Sequence, residues 1–557
     1  MFTGKSFFRI FTAVCAVVTL LIGSAAFPAR AYASSPITVT TGADELNHNG
    51  QCSLREAIAN ANQNAQPQLD CAAGSGSDTI VFAAGVGTIR LGRALPDILD
   101  SAGLTIDGGR HVTVSGNHTA RVFNLVAGAM LVLQNITVAN GQSTDVGGGV
   151  SNAGVLLIIN STFSGNSATN AGGGLFNAGT VSMVDSTFSG NTTPSDGGGT
   201  DNLGTITVVN STFSNNSAGY GGGLSNNSGT ATILNSTFSG NTATLGSGGA
   251  LSTWNGGSTT PVTTLRNTIL ANSLAGGDCW NGLGDGTLIG GNNIIETTSN
   301  CGSIATLTSD PRLGTLSGSP AYYPLGSGSP AIDAGDDPTC AAAPVDFGSQ
   351  NRVPRPQGPH CDIGSFELPL TSVFRSLGAN DGWILESSET SGLGGTLNAG
   401  AKTFNLGDDA ANRQYRAILH FDTASLPDTA VILKATLKIK RQGLVGTDPF
   451  GTHGGLRADI RNPFFGTGAG LQPGDFQAAA GASAVATFGV TPAGSWYSAA
   501  ITAAGKSLIS RTGTTQFRLR FSLDDNNDHV ADYLKFYSGN TGATVNQPEL
   551  VIEYYVP

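Results

Sequence analysis

From Met130 to Ala271 short apolar runs alternate with turns rich in Gly, Asn and Ser, and no stretch keeps a helical period for a useful length. The segment "VLLIINSTFSGNSATNAGGGLFNAG", residues 155–179, holds three such strand-like runs. It also repeats. "NSTFSGN" at Asn160–Asn166 returns as "DSTFSGN" at Asp185–Asn191, "NSTFSNN" at Asn210–Asn216 and "NSTFSGN" at Asn235–Asn241, which spaces Phe163, Phe188, Phe213 and Phe238 by 25 residues. "GGG" at 147–149, 172–174, 197–199 and 221–223, and Asn152, Asn177, Asn202 and Asn227, keep nearly the same step. A fixed period of this size marks a solenoid. Strand-like runs without helices make each unit one coil of a parallel β-helix, with coils about 4.7–4.9 Å apart. The four phenylalanines are then expected to stack inside, adding ~0.5–1.5 kcal/mol per pair beyond burial. Asn160, Asp185, Asn210 and Asn235 are expected to line one corner, where Asn and Asp tolerate left-handed backbone. Val138 takes the phenylalanine place one coil earlier, and Ile269 is expected there after a longer coil.

Short strands between Asp78 and Leu125 extend the helix forward. A β-helix leaves raw edges at both ends, and 34–77 in front and 302–368 behind are the expected covers of a helix spanning 78–301. After Leu368 the texture changes to clean alternation. In "LKATLKIK" Leu433, Ala435, Leu437 and Ile439 share one face, and in "QFRLRFSL" Phe517, Leu519, Phe521 and Leu523 do the same. Half-buried antiparallel strands over 369–557 make a β-sandwich or jelly roll, so the fold class is all-β throughout.

Composition supports this reading. Charged residues are 12% of the 557-residue chain and Gly is 79 of it, which favours tight turns and stacked strands over amphipathic helices. The net charge is −11, and no lysine occurs between Lys5 and Lys402, which excludes a phosphate-neutralising stripe and so nucleic acid. Residues 1–33 read as a signal peptide: Lys5 and Arg9 precede an apolar run from Ile10 to Ile22, and Ala31-Tyr32-Ala33 is a small-x-small cleavage site. No later segment is long and apolar enough to span a membrane, so a secreted or cell-surface protein is expected. Six cysteines remain after the signal, neighbouring in sequence as Cys52/Cys71, Cys279/Cys301 and Cys340/Cys361, and an even count in an exported chain reads as disulfides. Six cysteines allow 15 connectivities, so local pairing is an expectation.

"CSLREAIANAN" at Cys52–Asn62 resembles the bacterial CSLREA domain that opens secreted β-helix proteins. "GSPAIDAGD" at Gly328–Asp336 and "RVPRPQGPHCDIGSFE" at Arg352–Glu367 resemble the choice-of-anchor Q region that closes them. The resemblance implies a right-handed, pectin-lyase-like helix across 36–368; handedness comes from it and not from the period. "DGWILESSETSGLGG", "RQYRAILHFDTASLP" and the closing "PELVIEYY" resemble DNRLRE-type modules of bacterial surface and polysaccharide-degrading proteins, some classed as carbohydrate-binding.

Catalysis on such a scaffold needs ionisable groups. Uronate lyases use Arg or Lys as base beside a carboxylate-bound cation, and inverting hydrolases use two carboxylates about 6.5–9.5 Å apart. Between Phe123 and Leu265 there is no Lys, Arg, His or Glu, and only Asp145, Asp185, Asp196 and Asp201. Asp185 reads as a corner residue, and Asp196 and Asp201 as turn residues or a weak cation site. The one mixed acid–base cluster is Asp107, Arg110 and His111, near His118 and Arg121, although "IDGG" is equally a turn. Arg55 and Glu56 read as local capping or pairing, and Arg352 and Arg355 as pins for the closing segment.

In the sandwich, Asp524, Asn526, Asp528 and Asp532 resemble half a calcium loop, with His529 where glycine is expected; a solvated acidic loop is the alternative. Asp408 and Asp409 form a second candidate cation corner. Trp383, Trp496, Tyr497 and Tyr537 are candidate sugar-stacking rings, with core packing as the alternative for each. The expected function is a secreted or surface β-helix protein that binds extracellular polysaccharide without cleaving it. A polysaccharide lyase or glycoside hydrolase, and a structural surface protein binding protein partners, are the alternatives.

Overall fold

The structure, a computed structural model, describes residues 36–257, 259–282, 286–298 and 301–557. The expected signal segment lies outside them. Two compact units divide between Leu368 and Pro369. Among the described residues no helix is long and apolar enough to cross a membrane.

Among the described residues the first unit is a parallel β-helix of about nine coils. One face stacks Asp78–Phe82, Leu104–Ser115, Met130–Ala139, Val155–Ile159, Thr180–Val184, Thr205–Val209, Thr230–Leu234, Val262–Arg266 and Thr287–Gly291 in parallel register. A second face carries Thr162–Ser164, Thr187–Ser189, Thr212–Ser214, Thr237–Ser239 and Ile269–Ala271. A third carries Phe123–Leu125, Val150–Asn152, Leu175–Asn177, Thr200–Asn202, Leu224–Asn227, Leu251–Trp254 and Cys279–Asn281.

The seven-residue repeat translates position by position. Its first residue turns the corner in left-handed backbone: φ is 48° at Asn160, 51° at Asp185, 48° at Asn210 and 47° at Asn235. Its second is a buried serine whose Oγ accepts from the backbone N–H one coil back, as Ser186 does from Ser161 and Ser211 from Ser186. The phenylalanine points inward and stacks, with ring centroids 4.4, 5.2 and 4.4 Å apart from Phe163 to Phe238. Its last Asn forms a buried amide ladder, Asn166 to Asn191 at 2.9 Å, Asn191 to Asn216 at 2.9 Å and Asn216 to Asn241 at 3.0 Å.

The glycine triplets serve the same packing. Gly172 and Gly197 hold φ of 65° and 69°. A Cβ on Gly174 or Gly199 would come within 3.0 or 2.9 Å of the Phe188 or Phe213 ring, so the stack leaves no room for a side chain. A second internal ladder joins Asn152, Asn177, Asn202 and Asn226 at 2.7–2.8 Å. Asn226, not Asn227, is the rung, because this coil is one residue shorter before its strand and Asn202 pairs with Asn226. Likewise Leu270, not Ile269, continues the phenylalanine column: Phe238 pairs with Leu270, and Ile269 faces out.

The front of the helix is covered by Leu54–Gln63, whose capping box joins Ser53 and Glu56 and whose Leu54, Ala57, Ile58 and Ala61 enter the main core. Arg55 pairs with Asp44 at 2.8 Å and donates to the Arg93 and Ala94 carbonyls. The expected rear cover behaves differently, for much of it runs back along the side of the second face. Gln350 reaches Thr187 and Thr212, Tyr323 reaches Ser214, and Ser365 reaches Thr237. Ile269, Ala271 and Ile294 supply the apolar surface it covers, against Leu325, Ala331, Ile363 and Phe366. Three disulfides join Cys52–Cys71, Cys279–Cys301 and Cys340–Cys361.

The second unit is antiparallel. Val431–Val445 pairs with Glu549–Tyr555 and Trp496–Ala500 along its first part and with Tyr533–Tyr537 along its last, joining two sheets around one core. Two alternation expectations fail locally. A register shift between Ile432 and Lys434 leaves Leu433 39% exposed, and Leu523 lies beyond the end of Thr514–Phe521 and is 53% exposed.

Candidate functional site

The acid–base cluster read from "DGGRHV" is not assembled. Asp107 accepts from the Gly109 N–H at 2.9 Å and from Gln134 and Asn135, so both its oxygens serve the turn. Arg110 and His111 are exposed, and the His111 ring lies 3.2 Å from the Gly109 carbonyl beside it. Arg121 donates to the Gly147 and Val146 carbonyls and to Ser143 Oγ, which makes it a clamp between coils.

In the second unit the acidic loop closes on itself. The Asn526 amide donates to Asp528 at 2.8 Å and Asp532 at 3.1 Å, and Asp532 accepts from the Thr447 N–H at 2.6 Å, while Asp524 stays exposed. Asp409 pairs with Arg413 at 2.6 Å, and Asp408 faces the His453 ring at 3.2 Å. Among the described residues no three His, Cys, Asp or Glu side chains converge to hold a metal ion, and the Asn526 amide stands between the Asp528 and Asp532 carboxylates. Of the candidate sugar-stacking rings, Tyr497 is 2% exposed and packed between Phe450 and Phe536, so it offers no free face. Trp496 is flanked by Lys438 and Lys440 at 4.9 and 5.6 Å, Trp383 sits edge-on to Tyr415, and Tyr537 is half-buried.

The third face of the helix carries a different constellation. Its outward column runs Phe176, Asp201, Ser225, Ser252 and Trp280, each beside the next in register. Asp201 and the two serines are 0–1% exposed although they point away from the helix core. Half-buried Tyr220, Trp254 and Trp280 stand over this surface, with Tyr220 6.3 Å from each tryptophan ring. Asp196 occupies the coil position next to Tyr220. Asp201 is thus a strand residue under aromatic cover, not the turn residue expected from its place beside the glycine triplet.

Beneath these rings lies a set of buried polar atoms. Asp201 Oδ1, Asp196 Oδ1, Ser225 Oγ, Ser252 Oγ and Trp254 Nε1 are enclosed there, the Ser225 side chain bonding toward Asp201 and the Trp254 side chain toward Asp196. Buried polar groups are normally paired, and here the pairs form among the side chains of the face itself. Burial pushes the Asp201 carboxyl well above the usual range and the neighbouring Asp196 charge adds to the rise, while the nearby Ser225 side chain opposes it. Burial also raises Asp196, against the Ser195 hydroxyl at 2.9 Å and the nearby Trp254 side chain. The strands leading to Asp196 and Tyr220 line an open groove of about 450 Å³ whose walls are mostly hydroxyls, among them Ser143, Ser167, Thr169, Thr192 and Ser217.

Sequence reading missed these rings because it sought sugar-stacking aromatics only in the second unit. The available signal was that two of the chain's four tryptophans, Trp254 and Trp280, fall on coils whose repeated positions are small or polar.

No family model matches the chain, and no curated protein matches it. Among solved structures, pectate lyase Pel9A is similar at 13% identity and a TM-score of 0.34, over 60% of this chain and 97% of that one. The enzymatically active domain of tailspike protein 4 of bacteriophage CBA120 is similar at 11% identity and a TM-score of 0.22, over 87% of this chain and 61% of that one. These likenesses are too slight to carry an argument, and the parallel β-helix is established by the strand pairing itself.

Proposed function

We propose that this is an extracellular polysaccharide-binding protein whose contact surface is the third face of the β-helix around Tyr220, Trp254 and Trp280. One observation carries the reading: three half-buried aromatic rings, Tyr220, Trp254 and Trp280, gather on one outward face of the helix beside half-buried Asp196. A sugar ring offers an apolar face to the aromatics and hydroxyls to half-buried Asp196 and the hydroxyl-lined groove beside it. The disulfides, and the resemblance of Cys52–Asn62, Gly328–Asp336 and Arg352–Glu367 to segments of secreted β-helix proteins, support an extracellular setting. The second unit, by its resemblance to carbohydrate-binding-like modules, is a further point of attachment in this reading.

The test passes the purified protein over a panel of immobilised polysaccharides while the eluate is assayed for new reducing or unsaturated ends. Retention on at least one polymer without new ends is expected, and a Trp254→Ala, Trp280→Ala double variant that melts normally is expected to lose most of it. Equal retention of wild type and variant removes this face from the reading. New chain ends select cleavage instead, the reading favoured by the two neighbouring carboxyls of Asp196 and Asp201.

A further inference from the structure

The ligand class follows from what surrounds those rings, and this step rests on the binding reading just given. From Val146 to Trp280 the only cationic side chain is Arg266. It is exposed at the end of Val262–Arg266, on the first face and not on this one. The charges that do belong to the site are carboxylates: Asp196 and Asp201 in its floor, and Asp278 in the turn before Cys279–Asn281. Asp278 is already committed to the backbone, accepting from the Ser273 and Thr297 N–H groups at 3.1 and 2.6 Å. Arg121 lies three coils earlier along the stack, its donors turned to the Gly147 and Val146 carbonyls, Ser143 and Asn124.

Acidic sugars are recognised by a cation, a bound metal or a cluster of N–H donors set against the carboxylate. No cationic side chain of residues 146–280 faces this surface, whose polar groups are the Asp196 and Asp201 carboxyls, the Ser225 and Ser252 hydroxyls and the Trp254 indole. The ionised carboxyls of Asp196 and Asp201 repel a carboxylate, whereas the hydroxyls beside them serve a neutral sugar as donor or acceptor. We infer that this face takes neutral glycan chains and excludes uronate polymers. The hydroxyl-lined groove leading to it has the same preference, because serine and threonine hydroxyls exchange hydrogen bonds with neutral sugars in either direction.

The experiment uses the full-length mature protein at pH 8 and low salt, with wild type, the Trp254→Ala, Trp280→Ala variant and a milder Tyr220→Ala variant. Affinity electrophoresis is run through gels holding a neutral β-glucan, galactan or mannan, or holding polygalacturonate or alginate. At least one neutral polymer is expected to retard wild type at a concentration tenfold or more below that of either uronate polymer. Both ring variants are expected to lose that retardation, and the tryptophan fluorescence of wild type should shift on adding oligosaccharides of the retarding polymer. Retardation by a uronate polymer at equal or lower concentration, abolished in the ring variants, overturns the neutral-glycan inference and leaves the binding face standing. Retardation by no polymer, or retardation unchanged in both ring variants, overturns the binding face and the inference together.

Discussion

Asp185 shows how much one residue can matter in a repeated corner. The same place in neighbouring coils is Asn, and the Asp185 carboxyl is enclosed in the corner column beside Asn210. Burial raises its carboxyl to about 7, against the opposing charge of Arg352 and a hydrogen bond from Asn210. An unfolded aspartate titrates near 3.9, so the folded state holds the proton more tightly. Stability is therefore lost as pH rises from about 4 to about 7, and the full penalty is present above that. At about 1.4 kcal/mol per pH unit the upper bound is ~4 kcal/mol, reduced by whatever relaxation Arg352 allows. Asp185→Asn is expected to match wild type near pH 4 and to gain about 1–3 kcal/mol at pH 8, measured by urea denaturation at both values. A gain that is the same at both pH values would assign the effect to packing. The sequence identified this residue as a corner residue because its column was visible four times over. Tyr220, Trp254 and Trp280 were not legible in that way: they sit where the repeat breaks, and their proximity follows from stacking coils whose lengths differ.

At the scale of one coil, the repeat is a set of separate backbone and packing demands, and substitutions can tell them apart. The glycine in "SGN" holds φ of 62° at Gly165, 61° at Gly190 and 71° at Gly240, but in the third copy Asn215 stands there at 53°. Nothing lies within 4 Å of a Cβ placed on Gly190, so conformation alone selects the residue. Gly190→Asn is therefore expected to cost little, within about 0.5 kcal/mol, whereas Gly190→Val should cost ~1–2 kcal/mol through its Cβ in left-handed backbone. Gly199 is the opposite case: its new Cβ would meet the Gly223 carbonyl and the Phe213 ring. Gly199→Ala is expected to cost at least about 1–3 kcal/mol by forcing two coils apart. Chemical denaturation of the three variants gives the order; equal costs at Gly190 and Gly199 would contradict this division of roles. The sequence places glycine at both positions, with Asn in one copy of the first, but only the register of the coils shows that one needs an angle and the other needs space. The same register explains why Asn226 and Leu270 take the roles expected of Asn227 and Ile269: a repeat length counted along the chain misses one-residue adjustments made in the turns.

At the scale of the whole chain, two compact units divide between Leu368 and Pro369, where the texture of the sequence also changes. Each apolar cluster falls wholly before Leu368 or wholly after Pro369: the helix interior, the Ile269–Phe366 cluster and the small Val209–Val345 cluster on one side, the clusters around Phe517 and Phe476 on the other. What texture did not reveal was that Gln350 and Ser365 reach back over earlier coils, since side-on contacts leave no periodic mark in sequence. Those contacts make the closing segment part of the helix unit, and its disulfide with them. All three disulfides lie in the first unit and the second has no cysteine, so redox conditions separate the two. Each closes a loop of about twenty residues, which by chain entropy restrains the unfolded state by ~3 kcal/mol. Calorimetry of the oxidised protein is therefore expected to resolve two transitions. Reduction with alkylation should lower one of them, the helix unit, and leave the other at its original temperature. A separately produced chain of residues 369–557 should melt at that unchanged temperature and identify it. One merged transition, or two that both fall on reduction, would mean that the units fold as a single cooperative body despite their separate cores.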